Sequence, residues 1–321
     1  MLSTYPEAVQ PGKIEPLGSA GGFSGAEFWR LTSPTGLLCL RHWPREHPDA
    51  QQLEFIHTVL RHVDRVGFHL VPVPVPRRDG STFGAFHGRL YELTNWLPGD
   101  AEFHQNPTPT RLSAAMKALA QFHNSANSCE RYQLRESRSR GIESRLSQTR
   151  QLLSKELREI ERYVNSGDWP SLEPIARKLI QLVQRHAPST QFALEQVSQV
   201  VVPLQPCIRD IWHDHILFEG DRVTGLVDFG AMRMEAVSGD IARLLGSLIG
   251  DDADRWHEGI GSYNETRPLS DVERNLIVAF NQSNKLLSGI NWLRWIYVER
   301  RVFEDRERIE KRLEKVISRL S

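Results

Sequence analysis

IRDIWHDHILFEGDRVTGLVDFG, residues 208–230, is the stretch whose reading decides the fold. Ile216-Leu217-Phe218 and Val223-Thr224-Gly225-Leu226-Val227 are strand-like runs on either side of Glu219-Gly220-Asp221-Arg222, which has the composition of a turn. The pattern predicts a tight antiparallel hairpin. His215 leads into the first strand and Asp228 leaves the second, so pairing brings both to the open end, with Asp210 on the loop just before it. Three potential ligands or bases converge there.

Composition frames what this hairpin can belong to. With 321 residues, 25% charged and 40% hydrophobic, the chain can bury the core of one large or two modest domains. Formal net charge is zero, so no global field recruits nucleic acid or an anionic membrane. Cys39, Cys129 and Cys207 are odd in number and lack metal-type spacing, which suits a reducing compartment. No charged-then-apolar leader opens the chain, and no apolar run approaches the roughly 20 residues that span a bilayer. The expectation is a cytoplasmic protein with neither a nucleic-acid nor a membrane partner. Oligomeric state is left open.

Outward from the hairpin, the first third reads as β-rich. Leu17 to Gly25 is a glycine-rich turn, followed by a strand at Ala26 to Leu31, a turn at Thr32 to Gly36 and a strand at Leu37 to Arg41. Gly21, Gly22 and Ser24 let backbone N–H groups approach a phosphate closely, whereas the bland reading of the same residues is an ordinary hairpin turn. In the strand, alternation sends Leu38 and Leu40 to one face and Cys39 and Arg41 to the other. Leu53, Ile56, Leu60 and Val63 recur at helical spacing, with Glu54 beside the stripe. From Thr110 onward the patterns are helical: a stripe of Leu112, Ala115, Met116, Leu119, Ala120 and His123, amphipathic runs at Leu152 to Val164 and Leu172 to His186, and final helices from Leu286 to Leu320 with Gly289 as a candidate break.

Arg209-Asp210, His215 and Asp228-Phe229-Gly230 together are similar to the catalytic loop and D-F-G signature of protein kinases, with His215 where that family has Asn. The short spacing, and Asp240-Ile241-Ala242-Arg243-Leu244-Leu245 soon after, more closely resemble the aminoglycoside phosphotransferase and choline kinase superfamily. That resemblance implies an α+β, bilobal protein-kinase-like fold: a small β-rich N-lobe over residues 1–97 and a larger, mainly helical C-lobe over 98–321. The implied reaction moves the γ-phosphoryl group of ATP to a hydroxyl of a small molecule.

The resemblance also implies roles. Asp210 is the catalytic base, and Asp228 and His215 hold the metal, Mg²⁺ or Mn²⁺. Arg41 stands where kinase-like folds have a phosphate-binding lysine, with Glu54 its expected ion-pair partner. Tyr91 to Gly99 resembles the hinge, placing Glu92 and Leu93 at the adenine edge. Two departures stand out: Ile208 replaces the usual His of the loop, and His215 offers nitrogen where an amide oxygen is usual, a change that favours Mn²⁺ or Zn²⁺ over Mg²⁺. Two other readings stay open. One is a nucleotide-binding protein without catalysis; the other is a metal-dependent hydrolase using Asp210, His213, His215 and Asp228. Asp251, Asp252 and Asp254 read either as an acidic rim for a cationic substrate or as a solvated loop.

Overall fold

The computed structural model describes residues 1–18, 25–164, 169–301, 303 and 305–321. Gly21, Gly22 and Ser24 lie outside the described residues. Strands β1 (Lys13–Gly18), β2 (Glu27–Ser33), β3 (Gly36–His42), β4 (Phe83–Phe86) and β5 (Arg89–Asn95) form an antiparallel sheet in the order β1-β2-β3-β5-β4. Alternation sorts its two faces. Leu38, Leu40, Leu31, Tyr91 and Leu93 are buried together with Tyr5, which leaves Cys39, Arg41, Glu92 and Thr94 on the opposite side.

Helix α1 (Ala50–Arg65) starts at Asp49, whose carboxylate accepts the Gln52 N–H at 2.7 Å. It buries Leu53, Ile56, Leu60 and Val63 as the spacing predicts, and also His57, Val59 and His62. Helix α2 (Pro109–Asn127) is capped by Thr108 and has proline at its first position, where the missing N–H costs nothing. Its stripe of Leu112, Ala115, Met116, Leu119, Ala120 and His123 is buried as expected.

The chain divides into two compact units. One comprises residues 1–134, 205–234 and 254–268; the other comprises 135–204, 235–253 and 269–321. The hairpin groups with the N-terminal sheet for a local reason. Its strands, here β8 (Ile216–Glu219) and β9 (Arg222–Leu226) after β6 (Arg135–Arg138) and β7 (Val201–Cys207), are bonded to the segments on either side of that sheet's last strands. Leu226 N–H donates to the Leu70 carbonyl at 2.7 Å, Phe218 and Asp100 exchange backbone hydrogen bonds, and the Thr224 hydroxyl donates to the Pro98 carbonyl at 2.6 Å. Gly99 is required at this junction. Its φ is +91°, and a Cβ there would lie 2.4 Å from Thr224 Oγ1.

The second unit is helical: α3 (Arg140–Gln151), α4 (Leu157–Val164), α5 (Leu172–Val197), α6 (Ser238–Leu248), then, past α7 (Ala253–Thr266), α8 (Asp271–Leu293) and α9 (Arg306–Leu320). Trp292, Leu293, Ile296 and Tyr297 are core, packed with Leu179, Val183 and Leu313. Helix α8 opens with a capping box between Ser270 and Glu273. It runs through Gly289 rather than breaking there. A Cβ at that position would meet the Leu179 side chain at 2.8 Å, so the glycine serves close helix packing.

Candidate active site

The β8–β9 register pairs Ile216 with Leu226 and Glu219 with Arg222, with Gly220 of the turn at φ +60°. Beyond the ladder, Val227 N–H donates to the His215 carbonyl at 3.0 Å. His215 and Asp228 therefore sit side by side at the open end. Two non-glycine residues there adopt left-handed backbone, Arg209 at φ +69° and Asp228 at φ +61°. Strained conformations of this kind survive where the surroundings enforce them.

His215 ties the site together. Its Nδ1–H donates to the Asp210 backbone carbonyl at 2.8 Å, and its Nε2 accepts the Trp212 indole N–H at 2.7 Å. Those bonds fix a neutral tautomer, since a carbonyl only accepts and an indole only donates. Nε2 also lies 3.6 Å from Asp228 Oδ2. Both ring nitrogens of His215, an expected metal ligand, are engaged by protein partners here, and through Nδ1 the ring holds the Asp210 backbone. His213 lies edge-on to the His104 ring at 4.3 Å between centroids, with Nε2 3.3 Å from Asp214. Among the described residues, Asp210, His213, His215 and Asp228 do not bring three ligand atoms within 4.8 Å of one another, the arrangement a hydrolase metal centre needs.

Arg41 reaches Asp228 from 187 residues away, its NH2 group donating to Oδ1 at 3.0 Å. The guanidinium is stacked 3.3 Å from the centroid of the Trp43 ring and 4.9 Å from that of Phe28. Burial by itself would raise the Asp228 carboxyl, but the Arg41 guanidinium, through its charge and its hydrogen bond, and the Gly230 backbone N–H hold the carboxyl below its ordinary value. The stability this pair contributes is present above the ordinary carboxylate value of 3.8 and is lost as pH falls below it.

Glu54 is not the partner of Arg41. Its carboxylate accepts from the exposed Arg131 at 2.8 Å. The α1 residue that faces the sheet is His57, one turn on, whose Nε2 donates to the Glu92 carboxylate while Nδ1 meets the Thr82 hydroxyl at 2.7 Å. Glu92 stands directly across from Arg41 in the β3–β5 ladder. Glu92 and Leu93 are the two residues expected at the adenine edge within the Tyr91 to Gly99 hinge. Glu92 and Leu93 lie inside β5; Glu92 is bound to His57, the Leu93 carbonyl accepts from Val75 N–H at 2.8 Å, and the Leu93 side chain is fully buried. Neither offers an atom to an adenine edge. Glu92→Leu is expected to cost roughly 1–3 kcal/mol by orphaning His57, whereas Glu54→Ala stays within about 0.5 kcal/mol; urea unfolding of the two variants checks this.

Cys39 shares the Arg41 face. Burial, reinforced by the Glu92 carboxylate and opposed by Arg41, pushes its thiol up to about 12. Native protein is therefore expected to be alkylated at Cys39 by iodoacetamide at pH 8 on the order of 10³-fold more slowly than urea-unfolded protein. The associated stability is full below the ordinary thiol value and is lost as pH rises toward about 12.

In the second unit, Asp251 accepts from Arg319 and lies 3.2 Å from the Lys285 ammonium. Its charge is neutralised, so it is not part of a free acidic rim.

Residues 14–274 match the model of the phosphotransferase enzyme family. A homoserine kinase of Rhizobium johnstonii is 22% identical over 274 residues, 84% of this chain and 77% of that protein. A homoserine kinase of Janthinobacterium sp. is 23% identical over 235 residues, 71% of this chain and 65% of that protein, so the chain spans just under two thirds of the latter's length. Among solved structures, a spectinomycin phosphotransferase in complex with ADP and spectinomycin superposes with a TM-score of 0.68 at 11% identity, covering 97% of this chain and 93% of that one. An aminoglycoside phosphotransferase from Alicyclobacillus acidocaldarius gives 0.61 at 15% identity, covering 98% and 95%. The sheet-rich N-terminal region, the helical C-terminal region and the Asp210–Asp228 hairpin are thus those of a kinase-like α+β fold, and the chain belongs to the phosphotransferase enzyme family.

Proposed function

We infer that this family member transfers the γ-phosphoryl group of ATP to a hydroxyl of a small molecule. The observation that carries the reading is the Arg41–Asp228 pair, held 3.0 Å apart at the open end of the hairpin that follows the Asp210 loop. A buried guanidinium beside a carboxylate of lowered pKa is a donor set that fits a polyphosphate and its cation. Arg41 Nε is buried and has no hydrogen-bond partner, which leaves a donor for a phosphate oxygen.

In this reading Asp228 holds Mg²⁺ or Mn²⁺, which, when bound, neutralises charge on the phosphate oxygens. Arg41 holds the phosphates. Asp210 orients the acceptor hydroxyl; as the acceptor oxygen bonds to the γ-phosphorus and the bond to the ADP oxygen breaks, the hydroxyl proton passes to the Asp210 carboxylate. Positioning does most of the work, so the hydrogen bond from His215 to the Asp210 backbone is part of the machinery.

The names of the homoserine kinases support a hydroxy amino acid as acceptor, and those of the spectinomycin and aminoglycoside phosphotransferases support an aminoglycoside or spectinomycin-like acceptor. The reaction belongs where ATP is kept, in the cytoplasm; no described helix is long and apolar enough to cross a membrane. An ATP-consumption screen over homoserine and related hydroxy amino acids, amino alcohols, amino sugars and aminoglycosides, run with Mg²⁺ and with Mn²⁺, tests the reading. Turnover with one class and none with buffer is the expected result. ATP that is neither bound nor consumed under any condition overturns it.

A further inference from the structure

Arg41 Nε–H is not alone in lacking an acceptor. Trp43 stands two residues on, so strand alternation puts it on the same face, and its indole Nε1–H is also buried without a partner. The two side chains are 9% and 3% exposed. Buried donors are nearly always satisfied, by protein, water or ligand. Here two of them occur on residues in face-to-face contact, beside the carboxylate that Arg41 already holds.

Trp43 is also built in. Its backbone N–H donates to the Leu90 carbonyl at 2.8 Å and its carbonyl accepts from Arg89 Nε at 2.7 Å. Arg89 bonds the Gly25 carbonyl as well, at 3.2 Å, joining this position to the end of the glycine-rich segment. Gly230 lies against the six-membered ring of the indole, where a Cβ would be 3.0 Å from Trp43 Cη2 and Cζ3. A ring clamped this way is a platform. Arginine replaces the expected lysine, and only a planar guanidinium can lie flat on such a platform and keep an N–H edge free.

We propose that Trp43 is a nucleotide-binding residue: its ring orients Arg41, and its Nε1–H together with Arg41 Nε–H binds an anionic oxygen of the nucleotide's polyphosphate. The proposal rests on the reading of Arg41 as a phosphate ligand. It adds a residue that the catalytic-loop and D-F-G motifs do not contain, and it makes Arg41, Trp43 and Gly230 one unit in which lysine is not an equivalent of Arg41.

Isothermal titration of the full chain with ADP and with adenosine separates the outcomes. Trp43→Phe keeps an aromatic platform and removes the donor, so ADP affinity is expected to fall roughly tenfold or more while adenosine affinity is unchanged. Arg41→Lys, with Trp43 intact, is expected to weaken ADP by a similar factor, and the double variant to lose less than the sum of the two because the residues act together. Trp43 also reports directly: the fluorescence change on adding ADP to the parent should shrink in Trp43→Phe. Equal ADP affinity in Trp43→Phe and parent, or an equal loss for ADP and adenosine, overturns the proposal alone. An Arg41→Lys variant that binds ADP as tightly as the parent does so too, and this arm decides if Trp43→Phe fails to fold. A parent that does not bind ADP overturns the nucleotide reading together with the proposal.

Discussion

Asp210→Asn is expected to lower turnover by about 10²–10⁴-fold, the usual worth of a positioned general base, with ADP affinity unchanged. Asn matches Asp in size and keeps a polar oxygen, so the loop retains its shape. The bond from His215 goes to the Asp210 backbone carbonyl rather than to the carboxylate, so the substitution leaves it in place. What is lost is the negative charge that accepts the hydroxyl proton. The loss therefore falls on kcat, measured with the acceptor found in the screen, while titration with ADP reads the undisturbed nucleotide contacts. A variant with more than a tenth of the parent's kcat would place the base elsewhere. His215→Ala is the informative companion: it leaves the carboxylate in place but removes the hydrogen bond that holds its backbone, and should lower kcat less than Asp210→Asn does.

The hairpin was legible because its two determinants are local. Alternating strand runs around Glu219-Gly220-Asp221-Arg222 fix the register, and the register alone brings His215 to Asp228. Helix α1 was legible from its stripe, yet the polar residue that meets the sheet is His57 rather than Glu54. Glu54 carries the charge that suits Arg41, but it lies at the edge of the stripe and is solvated. His57 lies four residues after Leu53 and three before Leu60, squarely within the stripe, and its position was readable even though its partner was not.

That Glu92 and Leu93 lie inside β5 was obscured for a related reason. Tyr91 to Asn95 has one residue type after another that a strand tolerates, and the strand end is set by bonds to Val73 and Val75, segments that sequence pattern does not link to β5. The Arg41–Asp228 contact, the Trp43 platform and the grouping of residues 205–234 with the N-terminal sheet all depend on pairings between distant segments. A single sequence records no such pairings. For His215 the position was legible, but its hydrogen bonds to Trp212 and to the Asp210 backbone depend on the folded loop.

Asp228→Asn is expected to abolish metal-dependent turnover, with a loss of 10³-fold or more. The protein's two candidate phosphate-side charges neutralise each other when nothing is bound, Arg41 through its NH2 group on Oδ1. A divalent cation arriving with the nucleotide must share or displace that contact. Removing the carboxylate then does two opposed things. The metal loses its anionic ligand, since an amide oxygen supplies no charge, while the Arg41 guanidinium, still stacked on Trp43 and now without a counter-ion, gains attraction for phosphate. The signature is therefore a split rather than a simple loss. In the parent, Mg²⁺ or Mn²⁺ should strengthen ADP binding; in Asp228→Asn, ADP measured in EDTA should bind at least as tightly as it does to the parent in EDTA, and added metal should change nothing. If metal still strengthens ADP binding in the variant, the cation is held by other groups. If ADP binding without metal collapses, Asp228 supports Arg41 by orienting it, and the pair is structural.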